Sequence, residues 1–96
     1  MIPTDLSPID QAVARALEEN GFYYDGKTQV VVDCNLIEGQ EEFLGWEIQT
    51  YSIFAVTHKA TGHYWFSSVQ VGATQATQQA KCIIQSAIAT YLDSMI

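Results

Sequence analysis

The chain has 96 residues, the size of one domain, and sets eleven carboxylates against four basic side chains (Arg15, Lys27, Lys59 and Lys81), a formal charge of −7. A domain this small buries only roughly 60–65% of the surface its unfolded chain exposes. Ordinary apolar content and low charge density argue against disorder. The acidic balance argues against non-specific binding to nucleic acid or anionic membrane, both of which need a basic footprint.

The opening MIPTDLSPID lacks the basic and apolar regions of a signal peptide. No apolar run reaches the roughly 18 residues of a membrane span. The expected location is the cytoplasm, with Cys34 and Cys82 as reduced, buried or semi-buried thiols. The first helix opens at Ser7-Pro8, a capping hydroxyl followed by a proline whose missing N–H costs nothing at N1. Asp10 at N3 acts as a short capping-box partner and complements the helix dipole. Ile9, Val13, Ala16 and Leu17 form its apolar stripe. Asn20-Gly21 ends it, with Gly21 at positive φ and Phe22 folding back on Leu17.

Tyr23-Tyr24-Asp25-Gly26 reads as a turn. A first strand follows over Lys27–Leu36, with Val30, Val32, Cys34 and Leu36 on one face. Residues 37–45 read as a solvated loop carrying Glu38, Glu41 and Glu42, with Phe43 and Leu44 tucking its end toward the core. The second strand, Trp46–His58, changes parity. Trp46 and Ile48 share one face and Tyr51, Ile53 and Ala55 the other, so either a bulge sits near Thr50 or both faces are covered. Lys59-Ala60-Thr61-Gly62 is a hairpin turn with Gly62 at positive φ, and the third strand is His63–Val71. After Gly72, Thr74 is the expected N-cap of a long helix. Its stripe runs through Ala76, Ala80, Ile83, Ile84, Ala87, Ile88, Tyr91, Leu92 and Met95. Ile84 and Ile88 are the expected centre of the core, against Val30 or Val32.

The expected architecture is a single α+β domain over residues 1–96 in the order α-β-β-β-α. It has a three-stranded antiparallel sheet with two helices packed on one face; the competing layout puts the helices on opposite faces.

Chemistry-bearing residues are sparse. His58 and His63 flank the hairpin turn as partly exposed strand-end side chains, and nothing nearby supplies the third or fourth ligand a metal needs. Ser67, Ser68 and Cys34 lack a nucleophile elbow, and the dinucleotide, P-loop, CxxC and HExxH motifs are absent. The chain reads as a non-enzyme with no metal or cofactor.

The order of elements resembles the double-stranded-RNA-binding domain. In that family the last helix opens with a lysine cluster that grips phosphates. Here Ala76-Thr77-Gln78-Gln79-Ala80-Lys81 keeps only Ala80 and Lys81, with Thr77 and Gln78 at the leading lysine positions. What the resemblance implies is the layout, in a degenerate form serving as a dimerisation or scaffold module. RNA binding by that surface is opposed by charge.

Tyr23, Tyr24, Trp46, Tyr51, Phe54, Tyr64, Trp65 and Phe66 are many rings for so small a core. The leading expectation is therefore an acidic protein-interaction module of the adaptor or inhibitor type. An inhibitor of the kind phages direct at basic nucleic-acid-handling proteins is one form of it. Its ring cluster (Trp46, Tyr51, Tyr64, Phe66) and carboxylate rim (Glu38, Glu41, Glu42, Glu47) would face a basic partner surface. The alternatives are the degenerate scaffold module, including a homo-oligomer, and a small metal-binding or enzymatic domain centred on His58 and His63.

Overall fold

A computed structural model describes residues 2–27, 40–50, 54–67 and 72–95, with Gln40 and Ala73 given by their backbone alone. Seven elements follow in chain order: α1 (Pro8–Glu19), β1 (Phe22–Lys27), β2 (Gln40–Phe43), β3 (Trp46–Gln49), β4 (Phe54–His58), β5 (His63–Ser67) and α2 (Ala73–Ser94). The strands form one five-stranded sheet in the order β1-β5-β4-β3-β2, each neighbouring pair antiparallel. The expected three-stranded sheet is thus corrected to five strands, and with it the layout shared with the double-stranded-RNA-binding domain.

Three sequence expectations fail. The presumed turn at Tyr23–Gly26 is most of β1. Phe22 and Tyr24 point inward and Tyr23 and Asp25 outward, and Gly26 at φ 92° sits where β1 gains one residue over β5. The Glu-rich loop contains β2, the edge of the sheet among the described strands, a position that tolerates charge. The parity change after Ile48 is a chain reversal. β3 and β4 pair Trp46 with His58 and Gln49 with Ala55, so the stretch is two strands of a hairpin. Residues 28–36 of the expected first strand, with Val30, Val32 and Cys34, lie outside the described residues, as do Tyr51 and Ile53.

Other expectations hold. Ser7 Oγ accepts from the Asp10 backbone N–H, Pro8 stands at N1, and Gly21 takes φ 88° just past α1. Gly62 takes φ 83° in the hairpin turn, its N–H donating to the His58 carbonyl at 2.8 Å. The long helix begins at Ala73, with Gly72 as an N-cap that has no side-chain bond, rather than at Thr74.

Period-2 alternation sends Phe22, Trp46, Ile48, Phe54, Val56 and Trp65 to one sheet face. There they share a single cluster with Val13, Ala14 and Leu17 of α1 and Ala76, Ala80, Ile83 and Ile84 of α2. Both helices therefore cover the same face. Trp46 and Trp65, with no exposed surface and ring centroids 5.7 Å apart, are the largest side chains in this core. Ile84 is fully buried; Ile88 is only partly buried and lies at the margin. Cys82 is exposed, against the expectation of a buried or semi-buried thiol. Among the described residues no helix is long and apolar enough to cross a membrane.

Candidate functional site

No described element packs on the sheet face opposite the helices. Strand register arranges its side chains in two rows. One row runs Tyr23, Phe66, Ala55, Gln49; the other runs Tyr64, Thr57, Glu47, Glu42, with Asp25 beside Tyr64. Rings therefore gather toward the β1 edge and carboxylates toward the β2 edge. Tyr23 is 58% exposed and its ring lies 5.8 Å from that of Phe66, centroid to centroid. Tyr64 and Phe66 are half-buried. The Tyr64 hydroxyl donates to the Asp25 carboxylate, and this bond, with some desolvation, raises the phenol above its ordinary value.

The eight residues singled out in sequence do not form one patch. Tyr64, Phe66, Glu42 and Glu47 share the open face. Glu42 is ion-paired to Lys59 at 2.7 Å, and Glu47 is only 8% exposed. Glu41 alternates to the helix side, where Lys81 of α2 pairs with it at 2.5 Å and sits over the Phe43 ring. Trp46 lies in the core beneath the helices, so it offers no surface anchor. Glu38 and Tyr51 lie outside the described residues. Sequence reasoning missed Tyr23 and Asp25 as members of the face. The signal was there in the alternation of Phe22-Tyr23-Tyr24-Asp25, obscured by the turn-like Asp25-Gly26.

A second cluster occupies the hairpin end on the covered face. The expected strand-end histidines are buried, His58 at 7% and His63 at 6% exposure. His58 Nε2 lies 3.0 Å from Asp10 Oδ2, and its Nδ1 lies 2.8 Å from Thr61 Oγ1. His63 Nε2 lies 2.7 Å from Asp5 Oδ1, and its Nδ1 lies 2.7 Å from the Tyr24 hydroxyl. Each ionised carboxylate can only accept, so each Nε2 carries a proton. In the neutral imidazole, Nδ1 then accepts from the hydroxyl. Asp10 does double duty, since the oxygen that bonds His58 also accepts from Ser7 Oγ at 2.9 Å. The Asp5 carboxyl is held below its ordinary value by the bond from His63, a partial desolvation opposing it.

These two carboxylate–imidazole–hydroxyl chains fasten the N-terminal segment and the start of α1 to the β4–β5 hairpin. With Leu6 buried in the core nearby, their role is to close that end of the molecule. Among the described residues no group of three or more His, Cys, Asp and Glu could hold a metal ion. Comparison with protein-family models, curated proteins and solved structures finds no match to this chain.

Proposed function

We propose that the protein is a non-catalytic interaction module whose open sheet face docks a basic protein surface. The reading is supported by one observation above the rest. Strand register sets Tyr23, Phe66 and Tyr64 side by side on a face that no described element covers, with Asp25, Glu47 and Glu42 on the same face. Rings that are both apolar and hydrogen-bonding supply most of the affinity at protein interfaces, while charge around them sets encounter rate and orientation. The rim is reassigned from the sequence expectation: Glu41 faces the helices, Glu42 is neutralised by Lys59 and Glu47 is buried, which leaves Asp25 as its principal exposed carboxylate. The overall charge of −7 favours a basic partner on encounter. A nucleic-acid-handling protein with a basic cleft is one partner of that chemistry, and an adaptor or inhibitor acting on it is the corresponding role.

The test starts by capturing partners on the immobilised chain and measuring binding kinetics for each. Tyr23→Ala and Phe66→Ala are expected to speed dissociation at least about tenfold, a loss of roughly 1.4 kcal/mol. Asp25→Asn is expected to slow association at low salt and change little at high salt. A partner that binds all these variants at the parent rates would overturn the proposal.

A further inference from the structure

One carboxylate on the open sheet face lacks the partner its burial calls for. Glu47 is 8% exposed, and among the described residues its side chain has no hydrogen-bond or ion-pair partner. Leaving water is costly for an ionised group unless an opposite charge or a set of donors replaces it. The cross-strand neighbours of Glu47 do not provide that. On one side stands Glu42, a like charge, and Lys59 bonds to Glu42 at 2.7 Å. On the other side is Thr57, half-buried, and beyond it Tyr64, whose ring is held by its hydroxyl's bond to Asp25. The row therefore keeps one negative charge unanswered, two strands away from a fixed aromatic ring.

We infer that Glu47 is the socket for one arginine side chain of the partner protein, an inference that rests on the docking face proposed above. The guanidinium meets the Glu47 carboxylate and donates to the Thr57 hydroxyl, while the aliphatic stem lies across Thr57 against the Tyr64 ring. Strand spacing sets Tyr64 about 10 Å from Glu47, a span suited to a long side chain laid over Thr57. The surroundings choose arginine over other cations. A cation entering an enclosed carboxylate sheds water, and guanidinium is more weakly hydrated than ammonium. Its planar fork gives a carboxylate two parallel bonds, and it packs well beside a ring. A metal ion is poorly served, because among the described residues no group of three His, Cys, Asp and Glu comes together. The two carboxylates of the face thus act at different stages. Asp25, exposed, acts on encounter, and Glu47 acts once water has left the contact, so its effect falls on dissociation.

The probe is a blocked glycine–arginine–glycine peptide, compared with its lysine and citrulline counterparts; citrulline keeps the shape of arginine without the charge. Each is titrated into the intact chain while the side-chain carboxyl carbon of Glu47 is followed by NMR. The arginine peptide is expected to shift that resonance saturably, the lysine peptide to bind at least about tenfold more weakly, and the citrulline peptide to leave it unmoved. Glu47→Gln should abolish arginine-peptide binding and Thr57→Val should weaken it, both with the parent far-UV spectrum. The inference is overturned by the absence of saturation up to about 20 mM arginine peptide, or by binding that leaves the Glu47 resonance in place. Equal binding of the lysine or citrulline peptide removes arginine as the occupant. None of these outcomes bears on the rings, whose test is the dissociation rate of the Tyr23 and Phe66 variants, so the two readings fail separately.

Discussion

Leu44 holds a backbone conformation that its side chain disfavours. It and Gly45 form the two-residue turn between β2 and β3, with φ of 53° and 87°, and Phe43 pairs with Trp46 across it. Positive φ at both central positions is the turn that matches strand twist, and Asn-Gly is the pair that fits it best. Leu44 is 59% exposed, so it does not tuck inward as its sequence suggested, and little packing offsets the strain. Leu44→Asn is therefore expected to stabilise the fold by about 1 kcal/mol in urea titration. Gly21 is the converse case. A Cβ there would meet nothing within 4 Å, yet φ is 88°, so Gly21→Ala should cost about 1 kcal/mol from backbone strain alone. Asp5 makes a prediction about pH. Its folded pKa is lowered below the 3.8 usual for an aspartate, chiefly by the hydrogen bond from His63. The stability this contributes is therefore complete above that value and is lost as pH falls through the lower folded one. Thermal melts between pH 2 and 6 should show that acid-side loss, and Asp5→Asn should shrink it.

At the scale of elements, α2 divides into a half that carries the fold and a half that does not. Ile84 has no exposed surface, and truncating it to alanine removes core contacts and leaves a cavity, at a cost of roughly 2–5 kcal/mol. Leu92, two turns further on, is expected to tolerate alanine within about 0.5 kcal/mol. Urea midpoints of the two variants check this contrast. Equal losses would mean that the terminal turns support the sheet as well. The sheet shows a similar division. β4 and β5 are central and their apolar alternation is plain. Among the described strands β1 and β2 are the edges, where Asp25, Gly26, Glu41 and Glu42 are tolerated because one side of each has no described ladder to maintain.

For the molecule as a whole, distant parts of the chain meet in one core. Trp46 and Trp65 lie in the same cluster as Val13 and Leu17 of α1 and Ile84 of α2. His63 bonds to Asp5 across 58 positions of sequence. Sheet, helices and N-terminal segment should therefore unfold together. Urea curves followed by tryptophan fluorescence, which reads the core, and by far-UV dichroism, which reads mostly the helices, are expected to coincide. Separate midpoints would show that the helices hold independently of the tryptophan layer.

What the sequence determined by itself was local. Ser7 and Pro8 at the start of α1, Gly21 at its end, the Gly62 turn and the stripe of α2 each follow from steric or hydrogen-bonding preferences that act over a few residues. The ring-rich character of the surface was legible too, and Tyr64 and Phe66 do lie on the open face. Only tertiary structure decided the rest. Whether the parity change after Ile48 is a bulge or a reversal depends on which strand lies alongside, a non-local pairing. Strand alternation and the neighbouring helix, rather than residue type, sent Glu41 to Lys81 and Glu42 to Lys59. The fate of Trp46 turned on which sheet face the two helices cover, because a tryptophan is equally suited to a core and to an interface until that face is chosen.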